Sequence, residues 1–147
     1  MDKDERKKLV RKAQARGVAV NGTGGYTHHI LLCTGPSCCS PDEGQAARKA
    51  LNKHLRQLRA DGRAVYASHV SCLSFCRGGP VAVVYPEGTW YGHADAEGCA
   101  RIALEHLRDG RVVEDLAFAR NPLPLKAPEP EPEEEDYGGV QEPCIVS

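Results

Sequence analysis

Apolar and polar positions change period several times along the chain. Residues 1–16, MDKDERKKLVRKAQAR, are charged throughout, and Leu9, Val10 and Ala13 give only a thin apolar stripe, which predicts a short solvated helix. GVAVNGTGG (17–25) has no periodicity and reads as a glycine-rich link. THHILLC (27–33) is a continuous apolar run ending on a cysteine, the pattern of a buried strand. Over 40–62, Ala47, Leu51, Leu55 and Leu58 recur at helical spacing, with Ser40 or Asp42 to cap, Pro41 in the first turn and Gly62 as the stop. AVYASHV (64–70), PVAVVYP (80–86) and TWYGHA (89–94) predict three more strands, the last two joined through the tight turn PEG (86–88). DAEGCARIALEHLRDG (95–110) predicts a second packed helix, with Asp95 as cap, Gly110 as stop, and Cys99, Ile102, Ala103, His106 and Leu107 facing inward. RVVEDLAF (111–118) reads as a short extension across the body. From Asn121 onward proline and glutamate dominate; such a segment buries too little apolar area to offset its ordering entropy, so a disordered acidic tail is expected over 121–147.

The order is βαβ followed by ββα. That is an α/β, thioredoxin-like arrangement: a four-stranded mixed sheet with two main packed helices. The chain divides into a charged arm and link (1–26), a domain (27–120) and the tail (121–147).

No stretch approaches the roughly 18 apolar residues of a membrane span. The charged N-terminus lacks the apolar region of a secretory signal. A cytoplasmic, reducing setting is therefore expected, where cysteines serve as ligands or catalysts more often than in disulfides. The seven cysteines are an odd number, which excludes a complete disulfide framework within one chain. Charge is unevenly spread: residues 1–126 hold 19 basic and 13 acidic residues, whereas 127–147 hold seven acidic and none basic. Acidic residues interrupt the basic N-terminal run and no aromatics interleave, which argues against a nucleic-acid partner. The glycine-rich link is followed by no Lys-Ser or Lys-Thr, so it is no phosphate loop. The terminal CIVS matches a prenylation box, but the acidic residues before it would repel anionic membranes, and no membrane partner is expected.

The chemistry lies in the cysteines. Parallel first and second strands place their carboxyl ends side by side, with Cys33 and Cys38 on one following loop and Cys72 and Cys76 on the other. Four soft thiolates at one edge suit zinc or an iron–sulfur cluster. Zinc ribbons usually leave two residues within each pair; here the gaps are four and three, a wider spacing that suits a [2Fe–2S] rhomb. Gly78 and Gly79 let backbone N–H groups approach the sulfurs, and Arg77 offsets negative charge, so these three are candidate tuning residues. Cys99 reads as a core cysteine and His106 as a core-edge histidine. His28 and His29 fall on opposite strand faces.

The run CLSFCRGGPVAVVYPEGTWYG (72–92), preceded by a strand, a Cys, a gap, a second Cys and a helix, resembles the thioredoxin-like [2Fe–2S] ferredoxins. The same module occurs in the small iron–sulfur subunit of respiratory NADH dehydrogenase and in hydrogenase subunits. The resemblance covers about 85 residues, from His28 to about Arg111. It implies one [2Fe–2S] cluster per chain held by Cys33, Cys38, Cys72 and Cys76, with Cys39 as the alternative to Cys38. It further implies a non-enzymatic one-electron carrier serving redox partner proteins, and a homodimer built around the region of Trp90 and Tyr91. The rival readings are a structural zinc-binding interaction module, or a subunit of a larger NADH-oxidising or hydrogenase complex. A thiol–disulfide enzyme would want Cys-x-x-Cys at a helix N-terminus, which this chain lacks.

Overall fold

The computed structural model describes residues 1–123. The elements are α1 (Lys3–Ala15), β1 (His28–Cys33), α2 (Pro41–Ala60), β2 (Val65–Val70), β3 (Val81–Tyr85), β4 (Thr89–Tyr91), α3 (Ala96–Arg101) with a π-helical continuation (Ile102–Arg108), and β5 (Ala117–Arg120). The strands form one mixed sheet in the order β2-β1-β3-β4-β5. β1 and β2 run parallel; every other neighbouring pair is antiparallel. The βαβ–ββα order is as expected.

Two features depart from the sequence pattern. The sheet has five strands where four were expected, because the extension after α3 leads into β5 along the outer edge of β4, with an irregular register at Trp90/Tyr91. Phe118, Ala119 and Arg120 are all exposed, so β5 shows no buried alternation by which it could announce itself. The helix expected over 95–110 is regular only in its first part; its second part is π-helical.

Ser40 caps α2, its Oγ accepting the Glu43 N–H at 3.2 Å, and Asp95 caps α3, accepting the Gly98 N–H at 2.8 Å. Ala47, Leu51, Leu55 and Leu58 from α2 meet Ile30, Leu32, Ala82 and Val84 of the sheet and Cys99, Ile102, Ala103 and Leu107 of the second packed helix in one core. Burying each large aliphatic side chain contributes about 1.5–3 kcal/mol. α1 buries none of its residues, as its thin apolar stripe requires.

At the hairpin end of the sheet the core holds a polar chain. The Val113 N–H donates to Tyr91 Oη at 3.2 Å, so the hydroxyl proton is directed to His106 Nδ1 at 2.7 Å. That leaves the His106 proton on Nε2, which faces Glu87 Oε2 at 3.7 Å, while Glu87 Oε1 lies 2.7 Å from His28 Nε2. Burial holds His106 below its ordinary pKa, against the pull of Glu87. Burial also pushes the Tyr91 hydroxyl up to about 12.

Tyr91→Phe strands two buried polar groups, the Val113 N–H and His106 Nδ1, each worth about 1–3 kcal/mol when unsatisfied. The thermal midpoint followed by circular dichroism is expected to fall by about 10 °C or more; an unchanged midpoint would show that the hydroxyl carries no structural weight. The same histidine sets a pH dependence. Its folded-state pKa lies below the unfolded value, so its contribution is complete above that unfolded value, about 6.5, and is lost as the pH falls from there through the lower folded-state pKa. Burial lowers His29 and His69 in the same sense. The midpoint is therefore expected to drop between pH 7.5 and pH 5.5, and to drop less in His106→Asn.

Candidate metal centre

Cys33 closes β1, paired with Val70 at the end of β2 and with Val81 at the start of β3. The loops after β1 and β2 therefore leave the same sheet edge as neighbours, tied at the root by the Thr34 N–H donating to Val70 O at 3.2 Å. In the first loop the amides of Cys38 and Cys39 both turn back onto Gly35 O, at 2.9 and 3.2 Å. In the second, Ser74, Cys76 and Gly78 adopt positive φ (69°, 52° and 65°), alternating along the loop. Left-handed positions re-aim the backbone N–H groups of the loop. One of them, Ser74 N–H, donates to Cys72 Sγ at 3.2 Å. The Gly79–Pro80 peptide is cis.

Two glycines allow the loops to meet. A Cβ on Gly35 would lie 1.8 Å from Ser71 O, and one on Gly79 would lie 2.1 Å from Cys38 O and 2.4 Å from Cys38 Sγ. Between the loops is a small cavity lined by Cys33, Cys38, Cys72 and Cys76, with Phe75 and Val81 among its other walls. Cys39 does not line it; its sulfur points to α2, 3.2 Å from where a Cβ on Gly44 would sit. Cys33 is buried, Cys38 half-buried, and Cys72 and Cys76 are exposed, so the site opens to solvent on the side of the second loop.

The thiols neighbour one another as Cys33 with Cys38 and Cys72 with Cys76, and Cys76 also feels Cys33. Burial pushes the Cys38 thiol up to about 11, against a backbone hydrogen bond from Val81. Burial and neighbouring thiols raise Cys76 as well. Thiols shifted in this direction hold their protons at neutral pH. They become thiolates when a cation takes the proton's place. Among the described residues no three His, Cys, Asp or Glu side chains gather closely enough for one metal ion. Four sulfur donors in two pairs, with N–H groups turned toward them, fit a two-iron cluster with two thiolates on each iron.

No family model matches the chain. It is 34% identical over 106 residues to a candidate 2Fe-2S ferredoxin of Priestia megaterium, covering 71% of this chain and 81% of that protein. It is 32% identical over 95 residues to a 2Fe-2S ferredoxin of Clostridium pasteurianum, covering 60% of this chain and 93% of that one. The structure of a thioredoxin-like [2Fe–2S] ferredoxin from Aquifex aeolicus matches with a TM-score of 0.59 at 25% identity, covering 69% of this chain and 99% of that one.

The chain belongs to the thioredoxin-like [2Fe–2S] ferredoxin family. It is an electron carrier rather than an enzyme, and the cofactor of its family is a [2Fe–2S] cluster. Of the tuning candidates in this ferredoxin, Arg77 is exposed beside the second loop, Gly78 O accepts the His93 N–H at 2.7 Å, and Gly79 sits against Cys38. Cys99 is a core residue; its thiol donates to Ala94 O at 3.2 Å, and burial pushes it up to about 12. Tyr91 is fully buried, so of the pair Trp90 and Tyr91 only Trp90 reaches the surface. No helix among the described residues is long and apolar enough to cross a membrane. Cys144, the CIVS terminus and the expected tail from residue 124 onward lie outside the described residues.

The sequence pattern missed an aromatic cluster beside the site. Phe75, from the second loop, packs on Trp90 of β4 and Phe118 of β5 at ring-centroid distances of 5.1 and 5.3 Å. Phe75 and Phe118 are each 49% exposed. These three residues are far apart in sequence, and Phe118 joins them only because β5 completes the sheet.

Proposed function

We propose that Cys33, Cys38, Cys72 and Cys76 hold one [2Fe–2S] cluster per chain, and that residues 27–120 act as a one-electron carrier between redox partner proteins in the cytoplasm. The observation that carries the ligand assignment is the single cavity these four thiols share, from which Cys39 is turned away. A bound [2Fe–2S] cluster supplies one-electron redox chemistry. The chain's own residues do the rest. The Ser74 N–H on Cys72 and the Val81 backbone bond to Cys38 favour the more negative, reduced charge state. Arg77 adds a positive charge beside the ligands and favours docking of an acidic partner. Phe75 shields one wall of the site while Cys72 and Cys76 keep its edge close to solvent, where a partner can approach.

The exposed cluster of Phe75, Trp90 and Phe118 supports a homodimer, since apolar rings grouped at a surface favour burial against a second copy. Anaerobic purification tests the reading as a whole. A brown protein is expected, with two iron and two labile sulfide per chain and one electron taken up on reduction. A colourless protein carrying zinc would overturn it.

A further inference from the structure

Residues 1–63 hold thirteen lysines and arginines against six acidic residues, whereas residues 64–123 hold five arginines against seven acids. Four of those five arginines, Arg101, Arg108, Arg111 and Arg120, are ion-paired. Among the described residues, no Lys or Arg of 1–63 makes an ion pair. Part of this uncompensated charge lines an open cleft of about 560 Å³ between the end of α1, the end of α2 and the start of β2. Arg16, Arg59 and Arg63 line it, Tyr26 and Tyr66 stack within it at 4.9 Å, and no acidic residue lines it. Arg59 Nε donates to Val65 O at 3.0 Å, which fixes the guanidinium at the cleft wall. His69, another lining residue, reaches Asn52 through Nε2, and its buried Nδ1 has no partner among the described residues. Two helix C-termini meet here, and their partial negative charge calls for cations but does not use up three.

The complementary charge lies in the chain itself. EPEPEEED (129–136) carries six acidic residues and no basic one. The described structure ends near the right place: the Leu123 N–H donates to Pro86 O at 3.3 Å, at the end of the sheet where β1 and β2 begin and where the cleft opens. β5 and β2 are four strand spacings apart, about 19 Å. Six residues, from Leu123 to Glu129, span up to about 20 Å, and the thirteen to Asp136 up to about 45 Å. Prolines alternate with the first glutamates and limit the entropy lost on docking.

We propose that Glu129–Asp136 docks in this cleft, its carboxylates on Arg16, Arg59 and Arg63, making the cleft an intramolecular site for a carboxylate-rich peptide. Docking neutralises the basic face and competes with any other acidic chain for it. The pairs are exposed, so salt screens them.

The test uses the full-length ferredoxin and a full-length variant in which the six acids of 129–136 become Gln or Asn. Side-chain Nε signals of Arg16, Arg59 and Arg63 and the Tyr66 amide are compared by NMR in low and high salt. Shifts between the two proteins at these four positions in low salt, lost in high salt, are the expected result. Identical spectra, or shifts confined to Lys3–Lys12, would overturn the proposal. Shifts that grow with protein concentration would move the contact to a second copy and overturn it too. Shifts at the cleft on adding a single-stranded oligonucleotide, with none on neutralising the tail, would give the cleft to nucleic acid instead.

Discussion

Replacing Cys38 by alanine is expected to strip the ferredoxin of nearly all its visible absorbance and iron, while Cys39→Ala leaves both close to the wild-type level. Alanine is the useful substitution, because a serine oxygen is itself a ligand donor. The two cysteines are adjacent, and their amides even share one acceptor, Gly35 O. Their sulfurs nevertheless face different surroundings. Cys38 lies against Gly79 and shares the cavity with Cys33, whereas the Cys39 sulfur lies against Gly44 at the start of α2 and feels Glu43 first and Cys33 after it. A Cys39 thiolate brought into the cavity would have to give up its packing against Gly44 in α2, next to the Ser40 cap that holds the chain. Iron content per chain, with absorbance as the parallel reading, decides the matter. Retention of the cluster in Cys38→Ala together with its loss in Cys39→Ala would reverse the ligand assignment.

That the two cysteine loops meet at one sheet edge was legible in the sequence for a simple reason. Each pair follows a strand, and parallel strands end at the same edge, so local pattern and one topological rule bring the loops together. The choice between Cys38 and Cys39 was not legible, because it depends on which way a single turn rolls about Gly35. The backbone of the second loop was equally hidden: Ser74 and Cys76 adopt left-handed conformations that neither residue type announces. Two further features depend on contacts between distant segments. β5 forms as an exposed edge strand whose residues carry no alternating signal, and the aromatic cluster exists only once it does. The π-helical end of the second packed helix is hidden too, since its inward residues at 102, 103, 106 and 107 fit ordinary helical spacing. In this wider turn His106 meets Tyr91, which places a polar chain where the pattern promised plain packing.

The two neighbouring glycines after Cys76 were read alike in the sequence, as residues that let backbone approach sulfur. The structure separates them, and Gly79→Ala is expected to lose nearly all of the cluster whereas Gly78→Ala keeps it. Gly78 is there for its backbone: its φ is +65°, and a Cβ would meet nothing within 4 Å. Alanine in that conformation costs about 1–2 kcal/mol, a fraction of the 5–15 kcal/mol that typically holds a domain together. Gly79 is there for space. Its Cβ would stand 2.1 Å from Cys38 O and 2.4 Å from Cys38 Sγ, and the carbonyl belongs to backbone that cannot swing aside like a side-chain tip. Relief requires the second loop to back away from the first, which separates Cys72 and Cys76 from Cys33 and Cys38. The helices and strands lie behind this edge, so far-UV circular dichroism should stay near that of the wild type while absorbance and iron collapse. Equal cluster content in the two variants would mean that the loops tolerate a wider gap than their packing implies, and that the close approach of the two ligand loops is not what assembles the site.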